Sequence, residues 1–274
     1  MATTGIAFRR VVLNLAAGEA PAPALEAAAV LARWLDAELF ACFVENSALY
    51  EYARLPFARE IGLGAAWRPL EPGRLLDDYV AAAAAVQRRL RAIAARTGVP
   101  CEFEILRGDP AEWVARAAAG DLLALLEPAD PFARWMPPRT VPAAGHLILP
   151  RQLRRVRGPV VVVATRPDET AQAVATQIAA AAGVELIALE ATRDAARVLP
   201  ANARRVRCAP TARAAAAALQ AAREGLIVVA RSIVAGRAAA PPGSPPGPSE
   251  EAAAADWIQL AAERGVPLLV VDGV

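Results

Sequence analysis

Few side chains in this sequence combine the type and the spacing that catalysis requires. The one histidine, His146, has no histidine, cysteine or acidic partner at metal-ligand spacing. The three cysteines, Cys42, Cys101 and Cys208, form no CxxC pair. A Ser-His-Asp set, a nucleophile elbow and a Walker loop are also missing from the sequence. The residues therefore predict a protein that is not an enzyme and that holds no metal ion.

The cysteines and the apolar runs indicate the compartment. Cys42 lies in the run ELFACFV, where a cysteine is typically a small buried hydrophobe and not a reactive thiol. An odd number of unpaired cysteines is typical of a reducing compartment. Charged residues interrupt every apolar run before about 18 residues, and the start MATTGIAFRR has no apolar segment of a signal peptide. We therefore expect a cytoplasmic protein without membrane insertion.

The charge balance bears on the class of partner. Thirty basic and 28 acidic residues leave a net charge of +2, and the arginines are scattered over all segments. A general nucleic-acid binder needs a clustered positive field. The composition therefore predicts no nucleic-acid partner.

Polar side chains follow several short apolar runs of the kind that form buried strands. In a parallel sheet the carboxyl ends of the strands meet at one edge, where α/β proteins bind ligands. Such residues are also common helix caps and turn formers, and position alone nominates them. The candidates are Asn14, Glu45 and Glu127 in the first half of the chain, and Thr165, Asp168, Arg231 and Ser232 in the second.

Strand-like and helix-like segments alternate along the first half. The clearest helix is predicted at 74–97, where apolar residues recur every three or four positions before Gly98 and Pro100. The order β-α-β-α-β-α-β predicts a parallel sheet with right-handed crossovers. The predicted strands are 11–18, 38–45, 101–108 and 121–128, and the other helices are 23–36 and a segment that begins at Asp109 and Pro110.

The second half repeats this order, and ELFA at 38–41 returns as ELIA at 185–188. We therefore predict an α/β fold of two doubly wound parallel-sheet domains, 1–150 and 151–274, each with about five strands and meeting across the sheet edges. HLIL at 146–149 is placed in the first sheet and PVVVVATR at 159–166 in the second. The remaining predicted strands are 184–191, 204–210, 226–232 and 267–273, and the helices are 168–182, 211–225 and 250–265.

Two segments interrupt the repeat. Residues 46–73 have no counterpart in the second half and are predicted as an insertion; its fragment YEYARLPF suits either a surface that covers a groove or a partner, or a lid packed on its own domain. Residues 238–251 are rich in proline, glycine and serine, which predicts a flexible loop sensitive to proteolysis.

The phrases ALEAAAVLARWLDAELFACFVE at 24–45 and GPVVVVATRPDETAQ at 158–172 resemble a tandem member of the universal stress protein family. The resemblance covers nearly the whole chain and implies an adenine-nucleotide-binding α/β fold in each half. It further implies a non-enzymatic stress-response or regulatory protein that meets other proteins, and it leaves open a homodimer.

Members of that family that bind ATP carry an Asp after the first strand and a glycine loop after the fourth. Here Ala16 stands at the Asp position, and proline-rich sequence with only Gly145 replaces the first glycine loop. The second half keeps Gly236 and Gly243, but not at the family spacing. We therefore expect no ATP cofactor; the alternative is an adenine nucleotide or small ligand in the second-half crevice, held by Thr165, Asp168, Arg231 and Ser232.

Overall fold

The computed structural model describes residues 8–16, 21–61, 66–108, 118–126, 144–154, 156–166, 170–234 and 248–271. Helices and strands alternate along most of this part of the chain, as the sequence predicts. The strands are β1 (Arg10–Ala16), β2 (Glu38–Asn46), β3 (Arg59–Ile61), β4 (Trp67–Pro69), β5 (Cys101–Gly108), β6 (Asp121–Leu126), β7 (Gly145–Leu149), β8 (Val160–Ala164), β9 (Leu186–Glu190), β10 (Arg204–Arg207), β11 (Leu226–Ala230) and β12 (Leu268–Val271). The helices are α1 (Ala22–Trp34), α2 (Ser47–Ala53), α3 (Pro72–Thr97), α4 (Thr170–Ala182), α5 (Ala212–Ala218), α6 (Arg231–Val234) and α7 (Pro248–Arg264).

Ten of these strands form one sheet in the order β10-β9-β8-β11-β12-β7-β6-β1-β2-β5. Within each half of the chain the five strands take the same relative order, 3-2-1-4-5, and every neighbouring pair is parallel. A mostly parallel sheet with helices confirms the α/β class. PVVVVATR supplies β8, between β9 and β11, and HLIL lies in β7, as predicted.

The two predicted sheets are not separate, which corrects the sequence prediction in that respect. Strands β7 and β12 pair antiparallel, with Ile148 opposite Leu268 and His146 opposite Val270. Pairing satisfies the backbone groups that each half would otherwise expose at an edge, so ten strands become one sheet. The strands of the two halves therefore run in opposite directions. The domain boundary at 150 and 151 stays a prediction.

Helix α3 follows the predicted periodicity closely. Its buried side chains Tyr79, Ala83, Val86, Leu90 and Ile93 lie on one face. Gly98 ends the helix in the left-handed conformation, with φ of 69°, and its N–H donates to the carbonyl of Ala94. The helix therefore begins two residues before the predicted start and ends at the predicted residue.

One face of the sheet carries α1 and α4, which belong to different halves of the chain. Alanines occupy most of the buried positions of α1, so the helix approaches the sheet closely. The two helices contact each other, and the Nε2 of Gln177 in α4 donates to the carbonyl of Leu35, 3.4 Å away. The apolar core is therefore continuous across the two halves.

Helix α5 is shorter than the 211–225 predicted from sequence. It begins at the predicted position, where the Thr211 hydroxyl accepts a hydrogen bond from the Ala214 N–H. The chain then turns, because the carbonyls of Leu219 and Ala222 accept hydrogen bonds from the Arg264 guanidinium. Alanine-rich sequence favours a helix throughout, and this tertiary contact overrides it.

The predicted flexible loop at 238–251 is wrong for its last four residues, since α7 begins at Pro248. Proline is compatible with the first turn of a helix, because the N–H it lacks has no partner within the helix there. The rest of that loop lies outside the described residues, as does the predicted helix that begins at Asp109 and Pro110.

Candidate functional site

The carboxyl ends of the second-half strands form the candidate site. Thr165 follows β8 and Arg231 follows β11, its neighbour in the sheet, so both lie at the same edge. Because β7 runs antiparallel to β12, the amino end of β7 also lies at this edge. The first half of the chain therefore contributes His146 to the crevice of the second half.

His146 and Arg231 are joined by a direct contact across β12. The Nη2 of Arg231 lies 2.7 Å from the Nδ1 of His146. A guanidinium has donors and no acceptor, so it donates and the imidazole Nδ1 accepts. This assigns the ring proton of the neutral His146 to Nε2, a buried atom that has no hydrogen-bond partner among the described residues.

Burial and charge together control the titration of His146. Its side chain is almost fully buried, and burial, followed by the positive charge of Arg231, lowers its pKa to about 3. The ring is therefore neutral at physiological pH. A general acid or base is most effective with a pKa near the working pH, so His146 is a poor proton-transfer group and acts as an acceptor for Arg231.

The other second-half candidates lie at the same edge as Arg231. Ser232 is the second residue of α6 and is half-buried, as are Thr165 and Arg231. Asp168 lies outside the described residues. The structure thus places three of the four predicted site residues, Thr165, Arg231 and Ser232, at one edge of the sheet.

Gln172 connects two segments that border this crevice. Its Nε2 donates to the carbonyl of Arg166 at 2.5 Å and to the carbonyl of Ala195 at 2.8 Å. Arg166 belongs to the turn after β8, and Ala195 to the connection between β9 and β10. The amide therefore holds two neighbouring strand-end turns together, and its buried position in α4 makes that contact rigid.

Glu190 is a further buried acid at this edge. It ends β9, and its carboxylate lies 3.6 Å from the guanidinium of Arg205 on β10. Its backbone carbonyl accepts from the Cys208 N–H. Glu190 therefore helps hold the edge strand β10 to the sheet.

In the first half, the candidate Glu45 is already paired. Its Oε2 lies 3.0 Å from the Nη2 of Arg107 on β5, and the guanidinium of Arg107 stacks over the Tyr50 ring of α2. This contact fastens the start of the insertion to the sheet. Asn14 lies on β1, and its buried Oδ1 has no hydrogen-bond partner in the part of the chain that the structure describes. Glu127 lies outside the described residues.

Cys42 is fully buried, as its apolar run predicts. Burial, with a smaller contribution from Glu104, raises the pKa of its thiol to about 12. The thiolate is the nucleophilic form, so this cysteine packs as a hydrophobe in the small cluster of Val12, Phe40, Cys42, Val44 and Leu123.

The arrangement suits recognition of an anion better than proton transfer. Arg231 supplies a guanidinium whose orientation His146 restrains, beside two residues with hydroxyl groups.

No group of three His, Cys, Asp or Glu side chains within the described ranges is arranged to hold a metal ion.

Sequence reasoning missed the roles of His146, Gln172 and Glu190. His146 and Arg231 are 85 residues apart, and only the antiparallel pairing of β7 with β12 brings them together. A sequence signal existed for Glu190, which follows the apolar residues of VELIALEA at 184–191 in the way that Glu45 follows those of ELFACFVE at 38–45. Gln172 left no comparable pattern.

No helix in the described part of the chain is both long enough and apolar enough to span a lipid bilayer.

Comparisons with known proteins identify the fold and not the family. No protein-family model matches this sequence, and no curated protein matches it. Among solved structures, PA1789 of Pseudomonas aeruginosa PAO1, described as functionally unknown, is 13% identical with a TM-score of 0.56, over 97% of this chain and 93% of its own. A putative universal stress protein of Pseudomonas aeruginosa UCBPP-PA14 is 13% identical with a TM-score of 0.54, over 97% of this chain and 94% of its own. The chain therefore has an α/β fold similar to that of a putative universal stress protein along nearly its whole length.

Proposed function

We propose that this chain is a non-enzymatic regulatory or stress-response protein of the universal stress type, which acts through other proteins and binds no ATP. The observation that carries the proposal is the His146–Arg231 pair. His146 is neutral and accepts a hydrogen bond from Arg231. The Arg231 guanidinium, at the end of β11, is therefore restrained by a side chain from the other half of the chain. The whole-chain similarity to a putative universal stress protein supports the fold on which this rests.

The first half supports the same proposal. Ala16, which ends β1, has no carboxylate to orient a nucleoside. Glu45, the candidate acid at the end of β2, is paired with Arg107. An acid engaged in an ion pair is less available for a ligand, so neither Ala16 nor Glu45 offers a free carboxylate to a nucleotide at this end of the sheet.

A second candidate function is an anionic small-ligand or adenine-nucleotide binder. One observation favours it: His146 holds the Arg231 guanidinium at the strand-end edge shared with Thr165 and Ser232. A preoriented guanidinium loses less conformational freedom when it binds a phosphate or carboxylate. Asp168, two residues after Arg166, is the acidic residue nearest in sequence to the end of β8.

Calorimetry with ATP and magnesium tests both candidates. We expect no binding tighter than about 100 µM, equivalent to about −5.5 kcal/mol, and no release of phosphate from ATP. The reason is that Gly236 and Gly243 do not have the spacing of the family's phosphate loop, and a guanidinium by itself attracts a triphosphate only weakly.

The matched variants are Arg231→Ala at the site and Arg213→Ala, an exposed arginine of α5. A saturating low-micromolar isotherm that Arg231→Ala abolishes and Arg213→Ala leaves intact would reject the first candidate. It would make the second-half crevice a working nucleotide site.

A further inference from the structure

The β3–β4 hairpin turns its apolar side chains outward. Ile61 pairs with Trp67 across the two strands, and Glu60 pairs with Arg68 on the opposite side of the hairpin. Ile61 is 61% exposed and Trp67 is 64% exposed, whereas Glu60 and Arg68 are half-buried. In a sheet with one solvated face the apolar residues normally point inward, so this hairpin has the reverse arrangement.

Phe57 adds a third exposed apolar side chain close to the hairpin in sequence. The N–H of Leu70 donates to the carbonyl of Ala58 at 3.0 Å, which continues the hairpin pairing beyond Arg59 and Pro69. Ala58 is buried, and Phe57, which lies in the turn just before it, is 68% exposed. Phe57, Ile61 and Trp67 are called the hairpin patch below.

Ion pairs on the inward side determine which way the hairpin faces. The Glu60 carboxylate lies 2.6 Å from the Nε of Arg68 and 3.9 Å from Nη1 of Arg74 on α3. Turning the patch inward would break both ion pairs and expose the buried Ala58. The patch is therefore held toward solvent in this chain.

The exposed area is large for three side chains. An aromatic side chain presents about 150–250 Å², so the hairpin patch exposes roughly 400 Å² of apolar surface. Two copies meeting through it would bury roughly 800 Å², and the adjoining Arg59 and Pro69 raise the total toward the ~1,000 Å² that a specific interface requires. The area suits a weak dimer.

The charges around the patch suit a second copy of the chain. Residues 47–73 contain three arginines and three glutamates, so the insertion is electrically neutral. A neutral surface does not repel its own copy, and it lacks the positive excess that anionic lipid or nucleic acid would attract.

We propose that the hairpin patch is a self-association surface, through which two copies of this chain meet about a twofold axis. In such a contact each copy presents the same residues, so Trp67 and Phe57 of one copy pack on the patch of the other. The strand-end crevices take no part, and the proposal is independent of whether they bind a ligand.

Sedimentation velocity between about 1 and about 100 µM tests the proposal, because a weak, small-interface dimer is expected to dissociate in this concentration range. We expect the wild-type chain to shift from monomer to dimer over this range. Trp67→Ser and Phe57→Ser should each raise the dissociation constant about 30-fold or more, as aromatic residues at the centre of an interface do.

Val198→Ser is the matched control, since Val198 is 57% exposed and lies in the second half of the chain. It should leave the dissociation constant unchanged, and circular dichroism should show that all three variants keep the fold. A wild-type chain that stays monomeric to about 100 µM overturns the proposal. So does a dimer that Trp67→Ser and Phe57→Ser affect no more than Val198→Ser, or a monomer whose patch binds lipid vesicles instead.

Discussion

His146 links a single proton to the stability of the fold. Its pKa is about 3 in the folded chain, because of burial and the charge of Arg231, and about 6.5 in an unfolded chain. As the pH falls below 6.5, the His146 ring becomes protonated in the unfolded state but stays neutral in the folded state until the pH reaches about 3. The stability contributed by the neutral ring is therefore complete above pH 6.5 and is lost progressively between pH 6.5 and about 3.

His146→Asn removes this titration and keeps an oxygen acceptor for Arg231. We expect the free energy of unfolding of the wild type, relative to the variant, to fall by about 2 kcal/mol between pH 6.5 and pH 5, at about 1.4 kcal/mol per pH unit. Urea unfolding of both proteins at the two pH values measures it. An equal difference at both pH values would contradict the assignment of a neutral, buried ring.

At the scale of the elements, one arginine fastens the end of α7 to the turn after α5. The Arg264 guanidinium pairs with both carboxylate oxygens of the buried Glu224 and donates to the carbonyls of Leu219 and Ala222. The Glu224 hydrogen bond raises the pKa of Arg264, although burial acts in the opposite direction. This contact explains why the alanine-rich helix ends where it does.

Arg264→Met should destabilise the fold by about 3 kcal/mol, because it leaves the buried Glu224 carboxylate without its cation and removes the Arg264 hydrogen bonds to two carbonyls. Arg96→Met is the matched control: Arg96 also lies in the last turn of a helix and pairs with a glutamate, Glu26, but both side chains are more than half exposed. That pair should contribute less than about 1 kcal/mol. Thermal and urea unfolding measure the loss of stability in both variants. Equal losses would show that the Arg264 contact does not stabilise the fold more than an exposed ion pair does.

At the scale of the whole molecule, the pairing of β7 with β12 makes the two halves of the sheet interdependent. Val270 and Leu269 of β12 are buried, as are His146 and Leu147 opposite them. The contact of α1 with α4 adds a second connection on one face. We therefore expect the described sheet to unfold in a single cooperative transition.

Native-state hydrogen exchange tests this cooperativity. The amides of β12, at the centre of the sheet, should exchange only through global unfolding, whereas those of the edge strand β10 should exchange faster through local opening. If β12 exchanged as fast as β10 while β1 stayed protected, the halves would be joined only loosely.

The sequence by itself determined the elements whose patterns are local. The three- and four-residue spacing of Tyr79, Ala83, Val86 and Leu90 indicated α3, and the β-branched run PVVVVATR indicated β8. The alternation of strands and helices along each half also followed from such patterns, since short-range periodicity records which face of an element is buried.

The tertiary structure alone decided what depends on contacts between distant residues. The reversed hairpin face, the end of α5 at the Arg264 contact and the joining of the strands into one sheet have no local signature. The His146–Arg231 pair is the clearest case, because no local pattern relates two residues that are 85 positions apart. Their contact exists only because β7 runs antiparallel to β12. The relative direction of these two strands, which join the halves, is set by packing between the halves and not by the composition of either strand.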